Sequence, residues 1–92
     1  MIKLTGYIDV PIDRLEAVKE ALPEHIALTR AETGCLSFEV TEESNFQGRF
    51  LVAERFTDRA AFDAHQTRAK ASVWATVTDG IPRHYQIEDL PE

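Results

Sequence analysis

The segment Arg49-Phe50-Leu51-Val52-Ala53-Glu54-Arg55-Phe56 constrains the fold more than any other. With the period of two that a strand imposes, Phe50, Val52 and Phe56 fall in one phase, and Leu51 and Ala53 in the other. Both phases are apolar, so both faces of this strand need cover. A chain of 92 residues has room for one sheet and one layer of helices over it. The second sheet face then stays open, and an apolar face of roughly several hundred Å2 is rare on a monomer. A second copy packed face to face supplies the missing layer. The strand therefore predicts a layered α+β domain that works as a homodimer.

The remaining segments fit that layer plan. Ile2, Leu4, Gly6, Ile8 and Val10 alternate with Lys3, Thr5, Tyr7 and Asp9, and Pro11 ends this first strand. Asp13 followed by Glu16 has the spacing of a capping box and starts a helix. Leu15, Val18 and Leu22 mark its buried stripe, and Pro23 predicts a kink near Leu22. Gly34 suits the left-handed residue that closes a helix. Cys35 to Glu42 alternates again, with Leu36, Phe38 and Val40 on one side. A polar connection, Glu43 to Gly48, joins it to Arg49–Phe56 as a hairpin. Thr57 or Asp58 caps a second helix through Gln66, and a further helical piece runs from about Ala69 to Thr78. Gly80 and Pro82 end it, and His84 to Leu90 supplies a last strand. The order β-α-β-β-α-β packs most simply as one ferredoxin-like domain over residues 1–92. In that arrangement a four-stranded antiparallel sheet carries both helices on one face, and two copies make a dimeric α+β barrel.

Charge excludes several partners. Ten basic against sixteen acidic side chains leave a formal net charge of −6 at pH 7. Such a chain repels nucleic-acid phosphates and anionic membrane surfaces. No apolar stretch approaches the roughly 20 residues that span a bilayer. The N-terminal run Met1 to Tyr7 has no basic region followed by an apolar core, which predicts no signal peptide and a cytoplasmic protein. The single cysteine, Cys35, allows no disulfide within the chain and no zinc cluster, and reads as a small buried hydrophobe.

Three histidines are candidates for chemistry. His25 lies three residues after Leu22 and shares the buried stripe of the first helix. His65 lies three residues after Phe62, again on an apolar helix face, and His84 opens the last strand. A histidine in such a place is often a satisfied core residue. Two of them on two helices over one sheet can also wall a common cavity. Trp74, Tyr7, Phe38 and Phe62 are either core or the aromatic walls of that cavity. Glu54 interrupts an apolar phase between Val52 and Phe56 and needs a partner or solvent, and a structural ion pair with Arg55 or Arg30 supplies one. Neither helix has metal-ligand spacing, and no nucleophile elbow, phosphate-cradling loop, flavin or nicotinamide fingerprint is present. An enzyme built this way works without a cofactor or metal.

Two runs resemble a known family. Thr29 to Val40 is similar to the helix-to-strand junction of the antibiotic biosynthesis monooxygenase domains. Arg49 to His65 resembles the same family's aromatic strand ending in a glutamate, acidic cap, and helix ending in a histidine. The resemblance implies a dimeric ferredoxin-like fold with a pocket between helices and sheet in each subunit. It implies cofactor-free oxygenation of a quinol-like or polycyclic phenolic substrate by O2, with non-catalytic ligand binding or isomerisation as alternatives on the same fold. His65 matches the family's helix histidine and is the first choice as base, with His25 second. Trp74 and Tyr7 would position the ring system, Phe38 and Phe62 would line its site, and Arg55 or Tyr7 would donate to a developing oxyanion. The haem-degrading branch uses an asparagine on the first strand, and Ile2 to Val10 contains none. A branch handling phosphorylated sugars needs a basic pocket, which Arg68, Lys70 and Arg83 form only if they converge.

Overall fold

A computed structural model describes residues 1–91. Its elements follow the order β1 (Ile2–Asp9), α1 (Ile12–Arg30), β2 (Cys35–Glu42), β3 (Arg49–Phe56), α2 (Arg59–Lys70), α3 (Val73–Val77) and β4 (Arg83–Asp89). The four strands form one sheet in the order β2-β3-β1-β4, with every neighbour antiparallel. This is the ferredoxin-like topology that the element order predicts.

Alternation decides which residues meet the helices. Ile2, Leu4 and Ile8 of β1 are buried, as are Phe38 and Val40 of β2 and Phe50, Val52 and Phe56 of β3. Leu15, Val18, His25 and Thr29 of α1 and Phe62 and His65 of α2 close over them. Burial of this apolar layer is the main stabilising term of the fold.

β3 settles its two apolar phases unequally. The Phe50 phase is buried, whereas Leu51 is 42% exposed on the other face of the sheet. Cross-strand pairing surrounds Leu51 and Ala53 with Tyr7 and Thr5 of β1 and Thr41 and Glu39 of β2. The open face is thus more polar than the strand alone predicts, because its neighbours supply side chains such as Thr5 and Glu39.

Three local expectations change. α1 begins two residues earlier than the Asp13–Glu16 spacing implies. Pro11 stands at its N-cap without a side-chain cap, and Asp13 lies inside the first turn. The Pro11 carbonyl oxygen accepts from the Arg14 N–H at 2.9 Å, which satisfies one of the first-turn donors that a side-chain cap would otherwise take. Gly34 is not left-handed, since among the described residues positive φ occurs only at Gly6, Gly48 and Gly80. Its role is close packing: a Cβ at Gly34 would stand 2.2 Å from the Ala61 Cβ of α2. A register shift between Cys35 and Ser37 turns Leu36 out of the inward phase of β2, leaving it 56% exposed. At α2 the Asp58 side chain accepts from Ala61 N at 2.8 Å, as its N-cap position predicts.

Candidate active site

One transverse row of the sheet builds the site. Phe38, Glu54, Leu4 and Ile87 are cross-strand partners in β2, β3, β1 and β4, so all four point toward the helices. Glu54 is only 6% exposed there. α2 brings His65 above it, α1 brings His25, and α3 brings Trp74. Gly6 clears the next row. A Cβ at Gly6 would lie 2.8 Å from the Tyr85 ring and 2.0 Å from the His84 carbonyl oxygen, so only glycine lets Tyr85 of β4 lie across the strand. The result is a cleft of about 300 Å3 lined by His25, Glu54, His65, Trp74 and Tyr85, with Gln66, Lys70 and Arg83 among its other residues.

His65 is held on one side and free on the other. Its Nδ1 lies 2.9 Å from Glu32 Oε1, and Arg68 Nε donates to the second Glu32 oxygen. Arg68 also donates to Thr29 Oγ1 at 2.8 Å, which fixes the guanidinium against α1. A carboxylate accepting from Nδ1–H leaves the lone pair on Nε2. That nitrogen stands 3.8 Å from Glu54 Oε1, beyond hydrogen-bond distance. Burial lowers the His65 pKa below its ordinary value, against the raising effect of Glu32. Burial, aided by the Glu32 charge, pushes the Glu54 carboxyl up to about 7. Both shifts favour neutral forms, so below about pH 7 the two groups meet chiefly as a neutral base and a carboxylic acid rather than as an ion pair.

His25 and Trp74 form the upper wall. Their rings are stacked at 4.8 Å and 4°. Phe38 meets His25 edge-on at 5.3 Å, and the two imidazole centroids are 6.2 Å apart. Burial, reinforced by the nearby Arg68 and His65, holds His25 down at about 4. The His25 Nδ1 and Glu54 Oε1 atoms are buried without a hydrogen-bond partner among the described residues. Orphaned polar atoms in a buried wall are costly, and their concentration in one cleft marks it as a site for a polar ligand. Burial also pushes the Tyr85 hydroxyl up to about 12, so it is a donor at neutral pH.

His25, His65 and Trp74 therefore meet in one cleft, as the two helix stripes suggest. Phe38 and Phe62 are buried beside it rather than lining it. Phe38 backs both imidazoles, and Phe62 packs edge-on against Phe56 at 5.8 Å. Tyr7 and Arg55 lie on the opposite face of the sheet and reach nothing in the cleft of their own chain. Tyr7 stacks on His84 at 4.7 Å, beneath the Arg49 guanidinium, and Arg55 pairs across the strands with Lys3. The physical reason is alternation, which places both side chains a half-period from Leu4 and Glu54. The ion pair expected for Glu54 fails on the same ground. Arg55 points away, and Arg30 donates to the Phe38 carbonyl oxygen at 3.0 Å. Glu54 instead faces His65. Glu32 and Tyr85, absent from the sequence-based candidates, complete the site. Among the described residues no group of three or more His, Cys, Asp or Glu side chains has the geometry to hold a metal ion. No helix among them is long and apolar enough to cross a membrane.

Comparison with known proteins agrees with this architecture. A protein of Nitrosomonas europaea that carries the name of the antibiotic biosynthesis monooxygenases is 26% identical, covers 97% of each chain and superposes with a TM-score of 0.84. A similarly named structure from Deinococcus radiodurans is 19% identical over 100% of this chain and 94% of its own, with a TM-score of 0.77. The protein PA3566 of Pseudomonas aeruginosa is 23% identical over 99% and 92%, with a TM-score of 0.74. The last two establish likeness of fold alone. No curated protein matches the chain. The profile of the family described as antibiotic biosynthesis monooxygenase matches residues 1–76, a span that includes Glu32, Glu54, His65 and Trp74, and the chain belongs to that family.

Proposed function

We propose that the protein is a cofactor-independent monooxygenase that acts on a quinol-like or polycyclic phenolic compound with O2. The observation that carries this reading is the arrangement of His65. Glu32 fixes its Nδ1–H, which leaves Nε2 as a base facing Glu54 in a buried cleft walled by Trp74.

The reaction follows from those groups. A phenolic hydroxyl set against His65 Nε2 loses its proton, and Glu32 stabilises the imidazolium that forms. The phenolate is electron-rich and passes one electron to O2. The radical and superoxide combine at a ring carbon to form a peroxide. Glu54 protonates the distal oxygen, and its carboxylate then takes the C–H proton from the same ring carbon; the carbonyl forms as the O–O bond breaks, and the departing hydroxide takes the proton of the His65 imidazolium and leaves as water. In an anthrone, counted in its keto form, a CH2 group plus O2 thereby becomes a carbonyl plus water; in a quinol a ring C–H and the two hydroxyls plus O2 become a hydroxyquinone plus water, and in both the substrate is its own reductant. A dry cleft strengthens each charge interaction, and the Tyr85 hydroxyl is a donor for the oxyanion.

The test is oxygen uptake by the metal-free protein in air with anthrones and naphthohydroquinones. Protein-dependent uptake that disappears in His65→Ala supports the reading. Quenching of Trp74 fluorescence without uptake identifies a non-catalytic ligand-binding protein instead. Full activity in His65→Ala would remove His65 from the role of base.

The homodimer belongs to the same proposal, with Leu51, Ala53 and Tyr7 at the centre of the contact. Light scattering should give twice the chain mass of 10.4 kDa, and a monomer at micromolar concentration would exclude it.

A further inference from the structure

Charge is distributed along the cleft in a way that the oxygenation chemistry does not use. Titratable groups that favour neutral forms, His25, His65 and Glu54, stand on its walls. Lys70 at the end of α2 and Arg83 at the start of β4 line the same cleft from exposed positions. The protein is acidic overall, at −6. Yet Lys19, Arg49 and Arg68 pair with carboxylates and His65 faces two, whereas neither Lys70 nor Arg83 has a carboxylate of the described residues within 4.0 Å. Asp79 shares a shallow depression with Lys70 without pairing to it.

Arg83 is also held in place. Its Nη1 donates to the Ile81 carbonyl oxygen and its Nη2 to Thr78 Oγ1, each at 2.9 Å. Thr78 is fully buried and donates in turn to the Trp74 carbonyl oxygen at 2.7 Å. The guanidinium is thus tied through one buried hydroxyl to the helix that carries the aromatic wall. Oxygen partners of this kind orient it without neutralising it, and a guanidinium has five N–H donors. A cation fixed beside a ring-stacking wall matches an anionic substituent on an aromatic ligand.

We infer that the preferred ligand of this cleft is an aromatic compound bearing a carboxylate, with its ring against Trp74 and Tyr85 and its carboxylate on Arg83 and Lys70. This rests on the proposed function for the identity of the ring and adds its charged substituent. The reacting hydroxyl then points inward to His65. The carboxylate stays at the mouth, away from Glu54, where burial penalises a negative charge. A cleft of about 300 Å3 sits at the small end of ligand pockets, which run from roughly 300 to 1,000 Å3, and suits a few fused rings.

Anaerobic titration tests this independently of turnover, with the single tryptophan, Trp74, as reporter. The probes are 1,4-dihydroxy-2-naphthoate and 1,4-dihydroxynaphthalene, which differ only in the carboxylate. The naphthoate should bind about tenfold more tightly, and the advantage should shrink with added salt. Lys70→Gln and Arg83→Gln should each remove part of the advantage, and Arg83→Lys should retain more of it than Arg83→Gln. If Arg83→Gln unfolds the α3–β4 connection, Lys70→Gln alone still decides, because Lys70 braces nothing. Equal binding of the two probes, or an advantage untouched by Lys70→Gln, overturns the inference. Oxygen uptake separates the two readings. Uptake with the neutral diol but no preference for the naphthoate leaves the oxygenase and removes the charged substituent. Charge-dependent binding without uptake from any probe does the reverse.

Discussion

The two faces of the sheet hold similar side chains in opposite states. Each face has a histidine, an acid and aromatic rings. On the open face, Asp9 accepts two hydrogen bonds from Arg49 at 2.7 and 2.9 Å, the same guanidinium covers Tyr7 at 4.1 Å, and Tyr7 stacks on His84. Its acid and its arginine answer each other, and water reaches the rest. Under the helices, Glu54 Oε1 and His25 Nδ1 are buried without partners, and Glu54 is raised to about 7. Composition alone does not separate a structural cluster from a reactive one. Satisfaction does, because a buried group without a partner is held at a cost that a bound ligand can relieve.

Activity gives the sharpest way to break this comparison. His65→Ala and Glu54→Gln should each lower kcat for oxygen uptake by about 10^2- to 10^4-fold, the usual range for loss of a positioned acid or base. Tyr7→Phe and Arg55→Gln, on the open face, should change it by less than about threefold. Initial rates of O2 consumption measure all four. A large loss in Tyr7→Phe would mean that the open face of one copy reaches the cleft of another, and would overturn the separation of roles drawn here.

Stability contrasts the faces next. Phe56→Ala removes a side chain that is 1% exposed and should cost about 3–5 kcal/mol at any protein concentration, whereas Leu51→Ala should cost under about 1 kcal/mol in urea denaturation of the dilute protomer and more where the proposed dimer is populated. A loss in Leu51→Ala that shrinks on dilution would show a second copy covering this residue, since assembly stabilises the parent only while the dimer is populated.

The sequence reveals these faces unevenly. β1 is plain, because Tyr7 alternates with Leu4 and Ile8 and shares its phase with Lys3 and Asp9. That pattern already places Tyr7 away from the helices, and its aromatic character is a poor guide to the cleft. β3 is ambiguous alone, since Leu51 and Ala53 are as apolar as a buried phase. Only pairing with β1 and β2 decides it. Glu54 is visible as an acid inside the Phe50–Val52–Phe56 phase, but its unpaired state depends on where Arg30 and Arg55 point. Glu32 carries no signal in its neighbourhood. It reaches His65 because Gly34 lets the turn after α1 press against Ala61 of α2, which is a tertiary fact. The helix stripes of His25 and His65 are legible, and their meeting follows from the topology.

pH tests the cost of the unsatisfied acid. A carboxyl moved from 4.5 to about 7 by burial favours the folded state only while protonated, so this contribution is complete below 4.5 and is lost as pH rises through about 7. The loss amounts to about 3 kcal/mol, from the shift at 1.36 kcal/mol per pH unit. Glu54→Gln should therefore be more stable than the parent at about pH 8, with the difference shrinking toward about pH 5 in urea denaturation. His25 acts with the opposite sign. Held at about 4 against an ordinary 6.5, it contributes above 6.5, and acidification removes that contribution. Glu54→Gln should consequently expose a loss of stability on acidification that the parent partly conceals. An equal gain at both pH values would mean that Glu54 is not the acid whose ionisation burdens the fold.

The smallest effect belongs to the open face. Asp9 is held below the ordinary carboxylate range chiefly by its hydrogen bond to Arg49, but about two-fifths of its side chain remains in contact with solvent. Water and salt screen such a pair. Asp9→Asn should lower Tm by only about 1–2 °C at low ionic strength and by nothing measurable at about 1 M salt. Calorimetry at the two salt concentrations reads the difference directly. A loss that persists in high salt would show Arg49 to be shielded from solvent. The proposed second copy would then reach beyond Tyr7 to cover Phe46 and Arg49 as well, and the polar groups of the open face would be buried as those of the cleft are.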